Sequence, residues 1–207
     1  MSSLPMTRSE QKERTRRSIL DASLRLSAES TLAALSLRAV AKEVGIVPTA
    51  FYRHFASIDD LGLALVEESF ASLREMLRDV RVGAPASASL IDDSLDVLLV
   101  HVRREHAHYA FIARERVAGP PRVRDAIGHE IDLITRELTT DLARVAGTEA
   151  FSTDHLHLLA DLIVSFVVTT AERVIGARPG SEERIVAETR VQLRMLLVGA
   201  LNWRSDR

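Results

Sequence analysis

SLRAVAKEVGIVPTAFYRHF, residues 36–55, carries two short helical patterns on either side of a single glycine. In the first, Leu37, Val40, Ala41 and Val44 recur at the spacing that puts them on one helical face. Ser36 stands where an N-cap hydroxyl belongs. Gly45 can take positive φ and end that helix, and Pro48 suits the first position of the next, where a missing N–H costs nothing. Ala41 is small enough for two helices to cross. The pattern predicts a helix-turn-helix. The rings are here too: the chain has 6 Phe and 2 Tyr in 207 residues, yet Phe51, Tyr52 and Phe55 fall within five positions. Phe51 and Phe55 lie four apart, so they share a face and are predicted to point inward beside Leu37, Val40 and Ile46.

The remaining face carries Thr49, Tyr52 and Arg53, with His54 near its end. A Thr hydroxyl can meet base edges or phosphate, Arg can fork onto guanine, and Tyr and His donate to phosphate oxygens. The candidate DNA-contacting residues are therefore Pro48, Thr49, Ala50, Tyr52, Arg53 and His54, with Ser36 and Arg38 of the preceding helix and the Arg16/Arg17 pair. Thr49 and Arg53 are expected to face the major groove, and Ser36, Tyr52, His54, Arg16 and Arg17 to lie near phosphates. The competing reading of Tyr52 and His54 is that they close the core or face solvent.

Charge distribution agrees with a nucleic-acid partner. The chain's formal charge is −2, but residues 1–55 hold nine Lys/Arg against five Asp/Glu, a balance of +4, and the rest carries −6. Hydrophobic content of 46% and charged content of 27% describe a globular protein. With no Cys, disulfides, thiolate metal sites and cysteine nucleophiles are excluded. The N-terminal MSSLPMTRSEQKERTRR has no apolar leader, and the run Leu162–Val168 is far short of the ~20 residues a membrane span needs, so the expectation is a cytoplasmic protein with no membrane partner.

Helical periodicity continues along the chain, predicting an all-α fold. A first helix is expected over 9–28, and Ser57-Ile58-Asp59-Asp60 should open a long one reaching about Arg81. Breaks at 82–89, 118–122, 147–148 and 177–181 divide the remainder into helices of roughly 88–105, 107–116, 122–145, 152–176 and 181–203. The last two are apolar almost all round, more than one small core needs. Pairing with a symmetry mate would use the surplus, and Leu159, Ile163, Val167, Leu193, Leu196 and Leu197 are the expected core and interface positions of a homodimer.

TRRSILDASLRLSAES…LSLRAVAKEVGIVPTAFYRHFASIDDL resembles the N-terminal domain of TetR-family repressors over about residues 12–65. The longer stretch running on to Leu63, together with R-E-R-x-x-G at 114–119 and Q-L-R-M-L with a following aromatic at 192–203, is similar to the FabR/DesT branch, repressors of unsaturated fatty acid synthesis. The chain departs from the broad family at Ile58, where a phosphate-contacting Lys is usual, and at Val47, where a Ser or Thr cap is common. The resemblance implies an N-terminal helix-turn-helix domain (1–56) and a C-terminal helical ligand-binding and dimerisation domain (57–207). It implies a repressor of lipid-metabolism genes that binds a palindromic operator and senses long-chain fatty acyl-coenzyme A. An acyl chain needs a deep apolar cavity with a polar mouth. Candidate walls are Leu98, Val102, Phe111, Ile112, Ile131, Ile134, Leu138, Phe166 and Thr170, and Arg114, Glu115 and Arg116 form a cluster whose cations could meet coenzyme phosphates or hold a relaying helix.

Two other functions compete. One is a repressor of an efflux or catabolic gene that senses a different hydrophobic molecule. The other is an all-α lipid carrier or enzyme whose basic N-terminus docks on anionic membrane. No catalytic site, metal or cofactor is expected. His101, Glu105 and His108 have zinc-like spacing, but a predicted helix break parts them, and GHEIDL (128–133) has Leu133 where a second His is required.

Overall fold

The computed structural model describes residues 7–27, 30–83, 90–144, 151–178 and 180–203, and among these every regular element is helical. In order they are α1 (Arg8–Leu26), a short 3-10 turn (Leu32–Ala34), α2 (Leu37–Val44), α3 (Pro48–Phe51), α4 (Ile58–Gly83), α5 (Leu90–Arg104), α6 (His106–Ala118), α7 (Pro121–Leu142), α8 (Thr153–Ile175) and α9 (Glu182–Asn202). Most ends fall within two residues of the sequence expectation. Residues 84–89 and the break at 147–148 lie outside the described residues.

The chain forms two compact packing units. One runs to Ser69 and adds Ala110–Ile127; the other takes Phe70–Tyr109 and the chain from Gly128 onward, so α4, α6 and α7 contribute to both.

In the first unit, α1 opens with a capping box. The Thr7 hydroxyl accepts the Glu10 N–H at 3.2 Å, and the Glu10 carboxylate accepts the Thr7 N–H at 2.6 Å. Its buried face is Ile19, Leu20, Ala22, Ser23 and Leu24. Ser36 caps α2 by accepting the Ala39 N–H, and Gly45 ends it at φ 75°, a left-handed conformation costly for any residue with a Cβ. Pro48 starts α3 with no side-chain cap from Val47. Regular α-helix there stops at Phe51, short of the expected His54, because the next N–H groups bond three residues back: Arg53 to the Ala50 carbonyl at 3.1 Å, and His54 to the Phe51 carbonyl at 2.8 Å. Phe51, Phe55, Val40 and Ala41 are buried as the sequence pattern requires.

The same unit contains a buried carboxylate that explains the R-E-R-x-x-G stretch. Glu115 is wholly buried, and its Oε1 accepts the Leu32 N–H at 2.8 Å. Arg114 donates to the carbonyls of Ser27 and Ser30. Gly119 must lack a side chain, because a Cβ there would lie 2.8 Å from Glu115 Oε2 and 2.5 Å from the Glu115 carbonyl oxygen. The end of α6 is thereby tied to the segment joining α1 to α2.

Burial pushes the Glu115 carboxyl above the usual carboxylate range, opposed by the Leu32 N–H and the Arg114 charge. The folded state therefore holds this proton more tightly than the unfolded state, and stability from this group falls as pH rises above 4.5. Glu115→Gln should keep an acceptor for Leu32 and remove that part of the decline. Glu115→Ala should cost about 1–3 kcal/mol by leaving a buried N–H unpaired. Unfolding curves at a series of pH values check both; identical pH profiles for wild type and Glu115→Gln would contradict the assignment.

The second unit is built on a cluster that includes Met76, Leu95, Leu98, Val102, Tyr109, Ala171, Val174, Ile185, Val186 and Leu193. Two hydroxyls sit between α8 and α9: Thr170 and Thr189 meet at 3.1 Å, one donating to the other while the acceptor gives its own proton to the carbonyl four residues back in its helix. That satisfied polar pair fixes the register of the two helices. Arg103–Glu182 (2.7 Å) and Arg190–Asp96 (2.8 Å) link α5 to α9 at the surface, where ion pairs contribute little.

Candidate nucleic-acid interface

Pro48, Thr49, Tyr52 and Arg53 are exposed above the buried Phe51 and Phe55, with Ala50 half-buried among them. Tyr52 keeps 58% of its surface in solvent while its ring meets Phe51 edge-on at 5.7 Å, so it is a surface residue braced from below. Ser36 and Arg38 lie exposed at the start of α2.

The basic residues of α1 divide into three kinds. Arg17 is paired with Asp21 at 3.3 Å and Glu68 at 2.8 Å. Arg16, half-buried, donates to the His54 carbonyl at 3.1 Å, and its guanidinium carbon lies 4.3 Å from the centroid of the Phe55 ring. This side chain bolts the end of the recognition turn to α1. Arg8 and Lys12 are exposed, and among the described residues neither has a carboxylate partner. Arg16 and Arg17, expected alike near phosphates, thus sit differently: one is a strut and the other, exposed, is paired with two acids.

Arg8, Gln11, Lys12, Thr15, Arg53 and His54 line an open cleft of about 410 Å³. The α1 members fall at i, i+3, i+4 and i+7, one face of the helix. The sequence reading did not include Arg8, Gln11, Lys12 and Thr15, although their shared helical face is legible from their spacing. Burial and the charges of Lys12, Arg16 and Arg53 hold His54 below its ordinary value of 6.5, with Glu13 opposing. Its Nδ1 is buried without a hydrogen-bond partner among the described residues.

The residues expected to line a ligand cavity divide between the two units. Phe111, Ile112, Arg114 and Glu115 belong to the first unit, whereas Leu98, Val102, Ile131, Ile134, Leu138, Phe166 and Thr170 belong to the second. Leu98, Val102 and Phe166 are packed with the second unit's core, and Thr170 is satisfied by Thr189. Glu115 and Arg114 bond within the first unit, to the Leu32 N–H and the Ser27 and Ser30 carbonyls, the kind of contact that the helix-holding alternative calls for. A second cleft, about 300 Å³, is lined by Met76, Asp96, Val97, Val100, His101 and Arg104. Behind it the buried His101 meets the Tyr109 hydroxyl at 3.0 Å and lies 3.4 Å from the Ser72 hydroxyl. Burial holds the imidazole below its usual value and pushes the Tyr109 phenol up. Among the described residues, no three His, Asp or Glu side chains gather as a metal site, and no helix is long and apolar enough to cross a membrane.

The expected interface positions also sort by burial. Leu159 and Leu193 are inside the second unit, and Val167 and Leu196 pack against its core. Ile163 and Leu197 are half-buried. The apolar surface of α8 and α9 lies one or two positions along the chain from the expected residues, at Leu158, Leu162, Val191, Met195 and Val198. The sequence offered no way to choose between adjacent stripes on helices that are apolar almost all round.

Residues 19–65 match the bacterial regulatory proteins of the tetR family, and residues 87–200 match the tetracyclin repressor-like C-terminal domain. Among solved structures, the chain is similar to a TetR-family transcriptional regulator from Syntrophomonas wolfei at 14% identity, covering 91% of this chain and 97% of that one with a TM-score of 0.73. It is similar to the fatty acid degradation regulator FadR from Bacillus halodurans at 13% identity, 88% and 94% coverage and a TM-score of 0.67. It also resembles the multidrug binding protein EbrR at 22% identity, 94% and 97% coverage and a TM-score of 0.64. Such low identities speak for a shared fold, and the two domain matches supply the rest: the chain belongs to the TetR family of DNA-binding transcriptional regulators.

Proposed function

We propose that this regulator is a homodimeric, ligand-responsive repressor that binds a palindromic operator. The observation that carries the reading is the exposed surface of Pro48, Thr49 and Tyr52 held over a buried aromatic floor, with the cations Arg8, Lys12 and Arg53, which have no carboxylate partner among the described residues, beside it. In this reading Thr49 and Arg53 face the major groove, with Ala50 giving the close approach and Tyr52 near a phosphate. Ser36 and Arg38 lie near phosphates. The exposed stripe of Leu158, Leu162, Val191, Met195 and Val198 pairs with its copy, which sets the spacing of the two heads.

For the effector, we propose a long-chain fatty acyl-coenzyme A and control of lipid-metabolism genes. Support comes from the sequence likeness to repressors of unsaturated fatty acid synthesis and from the similarity to a protein described as a fatty acid degradation regulator. Leu98, Val102 and Phe166 would have to part to admit an acyl chain. A compact hydrophobe is the second reading, favoured by the small cleft of about 300 Å³ with its exposed Val97 and Val100, and by the similarity to a multidrug binding protein. Either ligand controls binding only by preferring one head spacing over another.

The test is operator binding to DNA from upstream of the protein's own gene, titrated with oleoyl- and palmitoyl-coenzyme A and with compact aromatic hydrophobes. A shift in operator affinity of about tenfold or more with an acyl-coenzyme A is the expected result. Phe166→Trp, which crowds the packed core, should blunt it. No shift with either acyl-coenzyme A sinks the lipid reading and leaves the repressor.

A further inference from the structure

The cleft between α1 and the recognition turn has the makings of an anion seat. It concentrates Arg8, Lys12 and Arg53, none with a carboxylate partner among the described residues, while Arg17 and Arg25 nearby are paired with acids. Three like charges around one opening repel each other unless an anion joins them. Gln11 accepts from Arg14 through its carbonyl oxygen at 3.1 Å, which leaves its amide N–H groups to donate into the cleft. The two walls are joined by the Arg16 bond to the His54 carbonyl, so the segments that carry the cations stand side by side before any ligand arrives.

Resting on the DNA-binding reading above, we propose that this cleft seats one backbone phosphate of the duplex, that Arg53 acts there as a phosphate ligand instead of reading a base, and that His54 gains a proton when the seat fills. The position of Arg53 argues for the first two parts. Beyond the last regular turn of α3, it shares a wall with Arg8 and Lys12 rather than continuing the Thr49 face. An arginine forks onto two phosphate oxygens as readily as onto guanine, and which it meets is decided by where its backbone points it. For the third part, the groups facing His54 are Lys12, Arg16, Arg53 and Arg8, with Glu13 the single acid among the charges acting on it. Burial and the repulsion of these cations together keep the imidazole neutral, and a phosphate beside it offsets the repulsion. Proton affinity is therefore higher in the complex, and binding tightens as pH falls through the ordinary histidine range.

The experiment compares Arg8→Ala, Lys12→Ala, Arg53→Ala and His54→Gln in the full chain, on operator and on a scrambled duplex of equal length, across a salt series. These residues are exposed or half-exposed, so unchanged helicity and thermal midpoint are expected. Arg53→Ala and Lys12→Ala should each weaken both duplexes by the same factor, about tenfold, and reduce the salt slope by about two, one phosphate per protomer of a dimer. Operator affinity should rise between about pH 8 and about pH 6 in the parent and stay level in His54→Gln.

An Arg53→Ala protein that loses operator affinity but keeps its affinity for scrambled DNA and its salt slope overturns the seat and restores Arg53 as a reader. A parent whose affinity is level over that pH range overturns the proton uptake. Saturable binding of inorganic phosphate at micromolar concentration, lost in Lys12→Ala, overturns the DNA backbone as the occupant in favour of a free anion. A parent that binds neither duplex in any ligand state removes the DNA reading on which the seat rests, an outcome separate from the other three.

Discussion

Phe51→Ala is expected to lower the stability of the first unit by about 3–5 kcal/mol and to abolish operator binding. The side chain is wholly buried, with ring contacts to Phe55 and Tyr52 at 5.7 Å. α3 is one turn long and has no side-chain cap, so nothing local would hold it in water. Its conformation is set by Phe51 and Phe55 below it and by Arg16 gripping the His54 carbonyl. Removing the ring leaves a cavity under the exposed surface and releases Tyr52, Arg53 and His54 together. The two units need not unfold as one, so a single melting temperature is the wrong measure. Hydrogen exchange at the Val40 and Ala41 amides reads the first unit directly, and the opening free energy there should drop by the stated amount. A drop of less than about 1 kcal/mol, the cost of an ordinary surface change, would mean that Phe51 is not the keystone of the turn.

The double variant Leu162→Glu/Met195→Glu should sediment as a monomer at micromolar concentration with its helices intact, and lose operator affinity by about a hundredfold or more. Leu162 keeps 50% and Met195 68% of their surface in solvent within the protomer, so glutamates there cost little in an isolated chain. In a paired stripe they would bring like charges together in a dry interface. Leu159→Glu makes the contrast: that side chain is 6% exposed, and an unpaired charge at it should unfold the second unit instead of dispersing a dimer. Sedimentation with circular dichroism separates the two outcomes. Emission from Trp203, the chain's one tryptophan, which meets His155 edge-on at 5.7 Å, should report any change at the end of α9. A double variant that stays dimeric places the interface elsewhere on the molecule.

The sequence by itself determined what depends on neighbours a few residues away. Ser36, Gly45 and Pro48 set the ends of α2 and the start of α3, because caps and positive φ are local matters. The i, i+4 pair Phe51 and Phe55 named the floor of the recognition turn, and the charge balance of the first 55 residues pointed to DNA. Tertiary structure decided everything that turns on which of two plausible neighbours a side chain meets. Arg114 and Glu115 could have met a ligand or held a helix, and the fold supplies them with Ser27, Ser30 and Leu32, more than eighty residues away. Arg16 and Arg17 are adjacent in the chain, but a helix sends successive side chains about 100° apart, so one reaches the His54 carbonyl and the other Asp21 and Glu68. On α8 and α9, where almost every position is apolar, periodicity has no contrast to report. Only packing separated Leu159 and Leu193 inside from Leu162 and Met195 outside, because burial is a property of the assembled fold and not of the residue.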